Sequence, residues 1–362
     1  MSMDNQSKSI LENEKINKST SLFSFKFLKN SYFRFVLKKF IFYLVILFCS
    51  LSLVWYIPRL YPTNPLSNLF STGPSSGSWI QERQTELTKF YGLDKPLFDQ
   101  FIDYWWNLLH LNLGRTYSQV GTPVIDAIAP SFYLTMTLVI PVLFIGFFLG
   151  NYIGGKMAVG KRRVNKFTYY FFVAFQSAPY YWTALIVVIL FFFLQGQYSM
   201  QLLPQKYYII TDFNYDFNHP TDFLYMYSIP FFIMLLFSTG GWSTGMRAMT
   251  LYELDSPYLL YSKQLGFRQA LIESYARRNA ILPQITGLNL RFNELVGATL
   301  IVEYVFNYPG LGTLIVTSAQ TQNYPLIVGS FVVIILSTVL GNFLLDILYG
   351  LIDPRIRTGS RN

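Results

Sequence analysis

Long apolar runs separated by charged stretches dominate this chain. Residues 40–57 (FIFYLVILFCSLSLVWYI) are apolar without a charge, and at roughly 1.5 Å per residue such a run is long enough to cross a hydrocarbon core with little tilt. Further runs fall at about 132–155, 167–194, 223–245, 281–306 and 326–352. The pattern predicts an all-α membrane protein with six transmembrane helices and both termini on the same side. Pro179, within SAPYYW, should kink the third run, because proline removes a helix hydrogen bond. Gly146, Gly150 and Gly154 recur at steps of four in the second run, a spacing that lets two membrane helices approach closely.

Between the runs lie polar segments of different character. Residues 1–30 are rich in Ser, Asn and Lys and read as a basic, unstructured tail, not a cleaved signal. The body carrying the apolar runs follows over 31–357, with a short polar end at 358–362. Residues 58–130 form a long insertion with turn residues and two amphipathic stretches, near Glu82–Tyr91 and Leu97–Leu111. Trp105 and Trp106 in the second suit a membrane interface. The segment at about 246–283 (Arg247–Pro283 at its core) is a polar, charged loop between two membrane runs. Tyr258–Leu265 can form a short helix there, Gly266 can close it at positive φ, and Pro283 marks entry into the next helix. A solvated connection and an element that docks into a groove of a soluble partner fit this segment equally well.

Composition agrees with the pattern: 52% of residues are hydrophobic, 19% aromatic and only 13% charged, outside the usual range of a soluble domain. The net charge of +9 could suggest a nucleic-acid partner, but placement argues otherwise. Most Lys and Arg lie before the first run, between the second and third (Lys156, Lys161, Arg162, Arg163, Lys166), between the fourth and fifth (Arg247, Lys263, Arg268, Arg277, Arg278) and after the sixth. By the positive-inside rule these segments, and both ends, are cytoplasmic. Ser76 should then face outward and Lys161 inward.

Several candidate chemistries are weak. The single cysteine, Cys49, lies in an apolar run and excludes an intramolecular disulfide. Gly150–Met157 (GNYIGGKM) resembles a phosphate-binding loop but has Met157 where Ser or Thr should hold magnesium, and it ends a membrane helix instead of following a strand. His110 and His219 have no second ligand at metal spacing. No nucleophile, base and orienting acid assemble from the cytoplasmic parts, which disfavours a membrane enzyme. An ion-coupled carrier would need midplane acids and broken-helix repeats, and no docking loop. Arg291 and Glu294, three apart in the fifth run, are costly in a membrane. An internal ion pair and a pathway position touching cargo both answer that cost. Glu303 is read as ordering the PGLG turn that follows it in preference to binding cargo, and Asp346 as structurally paired.

The residues of the central loop carry a family resemblance. Met246, Arg247, Glu253, Tyr258, Gly266, Arg278, Asn279, Ala280 and Pro283 resemble the EAA loop of ABC-transporter permeases, and more narrowly that of the first membrane subunit of dipeptide and oligopeptide importers. GLDKP at 92–96, LGRTY at 113–117, Ser177, Pro179, Trp182, VEYVFNYPGLG at 302–312, Tyr324, Pro325 and DPRIR at 353–357 extend the likeness over about 32–357. It implies a type I importer permease fold, in which two such subunits form the path, two cytoplasmic ATPases bind ATP and magnesium and drive it, and an external binding protein delivers cargo. This chain would then hold no cofactor, carry no catalytic residue or metal and bind no nucleic acid. It would sit in the cell membrane in contact with lipid. The implied coupling residues are Tyr258, Leu259, Ser262, Lys263, Gln264 and Gly266, with Arg291 and Glu294 on the translocation path. The sequence departs from the family pattern at Pro257, Ser262 and Gln264, and the loop is about a residue shorter. Cargo of the peptide class is implied, with oligosaccharides or nickel as the alternatives that relatives allow.

Overall fold

The computed structural model describes residues 32–60, 78–117, 122–160, 163–198 and 220–352. The tail at 1–30, the end at 358–362, the DPRIR motif, Ser76, Lys161 and His219 lie outside the described residues. Apart from one isolated bridge, Arg115 to Pro123, the regular structure described is helical. The helices are α1 (Tyr32–Leu60), α2 (Ser78–Phe90), α3 (Leu97–Leu109), α4 (Val124–Val159), α5 (Arg163–Ser177), α6 (Tyr180–Tyr198), α7 (Pro220–Leu254), α8 (Pro257–Gln264), α9 (Gln269–Thr286), α10 (Leu288–Val305), α11 (Leu311–Gln320) and α12 (Tyr324–Ile352).

Among the described residues, α1, α4, α7 and α12 are long and apolar enough to cross a membrane. The pair α5 and α6 adds a fifth crossing if it counts as one span, but it is bent by 101° at Pro179. The expected kink is therefore a break, with Trp182 N–H bonding the Pro179 carbonyl to start a new helix. The expected fifth run differs more. It is divided at Gly287 into α9 and α10, and α10 carries Arg291, Glu294 and Glu303 within 18 residues. Pro283 does not mark a helix entry; it lies inside α9. Proline's ring disturbs only the preceding turn, and α9 continues to a C-cap at Gly287 that bonds back to the Pro283 and Gln284 carbonyls.

Two compact units divide the chain, one of Met1–Cys49 with Val339–Asn362, the other of Ser50–Thr338. In the first, the start of α1 packs on the end of α12. Phe40 and Tyr43 each lie 6.0 Å from Phe343, ring centre to ring centre. Asp346, buried, accepts from Lys39 Nζ at 2.8 Å and from the Tyr43 hydroxyl at 2.8 Å. This bears out the reading of Asp346 as paired. Asp346→Asn should lower the melting temperature of the detergent-solubilised protein by several degrees, and Tyr43→Phe by less, since hydrogen bonds to charged groups contribute about 1.5–3 kcal/mol and neutral ones about 1.

The larger unit is built on the α4–α7 seam. A Cβ on Gly150 would lie 2.4 Å from Trp242 Cβ, and one on Gly154 would lie 2.3 Å from the Ser243 carbonyl oxygen. The glycines at steps of four thus let the two backbones touch. Phe147 meets Trp242 edge to face at 5.1 Å. The phosphate-loop look-alike at Gly150–Met157 is part of this seam, inside α4. In the same unit α3 lies along the end of α1, with Phe101 against Trp55 at 5.1 Å and the Tyr104 hydroxyl donating to the Leu51 carbonyl. Phe98, Ile102, Trp106 and Leu109 of α3 stay exposed, the arrangement of a helix at a membrane surface.

Several helices end alike. After α2, α3, α8, α10 and α11 the residue at Gly92, Leu111, Gly266, Asn307 and Gln322 takes positive φ. Its own amide and that of the residue after it return to the last turn, a Schellman ending. After α10 this turn is reinforced by Glu303. Its buried carboxylate accepts the Gly312 N–H at 2.7 Å, and Gly310 leaves the room it occupies, because a Cβ there would lie 2.2 Å from the carboxyl carbon. Thr135 of α4 accepts the Leu311 N–H. Glu303 does order the PGLG turn, fixing α11 onto α4.

Candidate functional site: a clamped short helix

The segment at 246–283 is almost wholly helical. Arg247–Leu254 completes α7, where the Arg247 guanidinium stacks 4.1 Å over Tyr169 of α5. Asp255 and Ser256 turn the chain, and α8 then runs for eight residues. Pro257 stands at its first turn, where a missing N–H costs nothing. Ser256 donates its hydroxyl to the Glu253 carbonyl. At the other end Gly266, φ +79°, closes the helix. Its N–H bonds Lys263 O, and Phe267 N–H bonds Ser262 O.

So short a helix is not stable alone, and two sets of contacts hold it. Leu259, 1% exposed, packs on Ile272, Ala276 and Leu254. A polar clamp then joins three helices: the Tyr258 hydroxyl donates to Glu253 Oε2 at 2.8 Å, and Asn279 Nδ2 donates to the Tyr258 oxygen at 2.6 Å. Burial first, then the Glu253 carboxylate, hold the Tyr258 phenol above its usual range. A rigid path therefore runs from α7 through α8 to α9. Arg277 of α9 in turn fills the space beside Gly155 of α4.

The expected coupling residues divide by side. Leu259 points inward, and Tyr258 serves the clamp. Ser262 bonds back to the Tyr258 carbonyl at 2.8 Å. Lys263, Gln264 and Gly266 are exposed. Leu260, Tyr261, Leu265 and Phe267 were not singled out by the sequence, yet they are large apolar side chains with exposures of 47%, 62%, 58% and 45%. Their exposure was not legible because α8 is apolar on several sides, so its periodicity does not reveal which face is inward.

Arg291 and Glu294 lie on α10, apart from this element. Arg291 Nη1 donates to Glu294 Oε2 at 2.7 Å, and the Tyr180 hydroxyl donates to Glu294 Oε1 at 3.2 Å. The ion pair anticipated as one of two possibilities is present, and both side chains keep solvent-accessible surface. Among the described residues no group of three or more His, Cys, Asp or Glu could hold a metal ion.

Four helices long and apolar enough to cross a membrane, two of them packed along a close glycine seam, are those of a multi-pass membrane protein. The family of binding-protein-dependent transport system inner membrane components matches residues 143–358, and the chain belongs to it. Similar proteins include the oligopeptide transport system permease protein AppB of Bacillus subtilis (strain 168), 26% identical over 277 residues, covering 76% of this chain and 85% of that one. The dipeptide transport system permease protein DppB of Escherichia coli (strain K12) is 25% identical over 292 residues, covering 76% and 86%. The probable D,D-dipeptide transport system permease protein DdpB of the same strain is 28% identical over 321 residues, covering 85% and 93%.

Proposed function

We propose that this chain is one of two membrane subunits of an ATP-driven importer, and that it carries di- or oligopeptides handed over by an external binding protein. The observation that carries the reading is the clamped α8, a rigid projection with an apolar surface and no catalytic set beside it. Two partner ATPases bind ATP and magnesium and close on α8. Because Glu253, Tyr258 and Asn279 tie it to α7 and α9, movement of α8 is passed to the bundle, as coupling through packed two-state elements requires. Tyr261, Lys263, Gln264 and the backbone at Gly266 meet the ATPase, while Leu259 and Ser262 hold the helix in shape. The peptide class is supported by what the similar permeases are named for.

The protein sits in the cell membrane with both ends cytoplasmic. Six crossings result if α5 and α6 count as one span and α10 as another. After replacement of exposed Cys49 by Ser, Lys95→Cys should react with an impermeant thiol reagent from outside the cell, and Lys263→Cys only after permeabilisation. The reverse pattern would refute this orientation. Function is tested with the complete complex in liposomes: labelled dipeptide should accumulate only with ATP and binding protein, and excess unlabelled peptide, not oligosaccharide, should compete. Accumulation driven by an ion gradient without ATP would refute the importer.

A further inference from the structure

α10 presents one uncovered stripe. Leu290, Asn293, Glu294, Gly297, Ile301 and Tyr304 are all exposed, and their spacing places them on a single helical face. Part of that face is polar, and beside it Gly297 leaves open space, with no atom within 4 Å of an added Cβ. By contrast the exposed Trp182, Leu185, Ile186 and Ile189 of α6 are apolar, as lipid contact demands. A carboxylate facing hydrocarbon is costly, so the α10 stripe belongs against water or another polar surface.

Its charged centre is assembled from three helices. The Arg291 guanidinium occupies the place that a side chain on Gly241 of α7 would fill, its Cζ 2.9 Å from that Cβ position, and it lies 5.8 Å from the Trp242 ring centre. Arg291 is thereby laid on the α7 backbone. Glu294 is fixed from both sides, by Arg291 on one oxygen and by Tyr180 of α6 on the other, yet its side chain is 40% exposed against 27% for Arg291. Each carboxylate oxygen can accept more than one hydrogen bond, so acceptor positions remain open on the exposed side. Arg291 offsets the charge, which keeps attraction to a cation weak enough for release, as a site in a conducting path needs.

We propose that Glu294, held in place by Tyr180 and Arg291, receives the free ammonium group of a peptide as it passes along α10. This rests on the peptide-import reading above and adds to it a feature that the membrane subunit itself reads. Free-amine peptides are then favoured over the same peptides with an acetylated N-terminus, at the permease and not only at the binding protein.

The test compares the two peptide forms in the complete complex in liposomes, each at concentrations saturating the binding protein, whose affinities are measured separately. The wild type should take up the free-amine form about tenfold better, the size expected for one hydrogen bond to a charged group. Glu294→Gln should remove that preference by slowing the free-amine form alone, with acetylated-peptide uptake and ATP hydrolysis unchanged, and Glu294→Asp should keep part of it. Equal loss for both forms in Glu294→Gln would overturn the assignment and make the residue a contact with the second membrane subunit. A wild type that takes up both forms equally would overturn it too. If the wild type takes up neither form, the peptide reading itself falls, and this assignment with it.

Discussion

Gly154→Leu should dismantle the permease. The Cβ alone would stand 2.3 Å from the Ser243 carbonyl oxygen and 2.8 Å from Met246 Cβ. Ser243 O belongs to a backbone that cannot rotate away, so α4 and α7 must part by about an ångström over the turn that buries Phe147 and Trp242. Overpacking of a close interface costs about 1–3 kcal/mol and sometimes more, and here the parted helices also lose their dispersion contacts along Gly146 and Gly150. The expected result is a drop of many degrees in the melting temperature of the purified protein and loss of uptake. Gly297→Ala, where an added Cβ meets nothing within 4 Å, is the control and should melt with the wild type. Equal melting of all three proteins would show that the seam is looser than described.

That seam was legible in the sequence because its cause is local: three glycines on one face have few other uses in a membrane helix. The break at Pro179 was legible as to place but not as to angle, since the 101° bend depends on what α5 and α6 each pack against. Gly287 gave no comparable mark. It takes φ −74° and ψ −7°, a conformation open to any residue, so nothing about glycine's freedom distinguishes it. Pro283 misled for a related reason, because a proline near an expected boundary is read as a start when a helix can also absorb it. At the docking element the positive φ of Gly266 and the short helix before it followed from residue types alone. The clamp of Glu253, Tyr258 and Asn279 did not, for it joins three helices across more than twenty residues, and one sequence carries no record of such pairs.

Gly266→Pro should uncouple the transporter without unfolding the bundle. Proline holds φ near −65°, whereas Gly266 stands at +79°, and its N–H, lost in proline, bonds Lys263 O at 3.1 Å. The end of α8 must rebuild, displacing Leu265 and Phe267. Gly266→Ala is milder, since no atom lies within 4 Å of its Cβ and the left-handed backbone costs about 1–2 kcal/mol. Uptake should therefore be abolished in the proline variant and only reduced in the alanine variant, with membrane insertion of both unchanged. A well-inserted proline variant with full uptake would remove α8 from the mechanism.

The central claim is that α8 meets the subunit that hydrolyses ATP. The most direct measurement places a photo-reactive phenylalanine at position 261 in the purified, reconstituted complex and irradiates it. The account predicts a covalent adduct between this chain and the ATPase, increased or reduced by nucleotide, and none from the same group placed at position 95. An intact complex in which position 261 joins only lipid, or in which position 95 captures the ATPase, would contradict it.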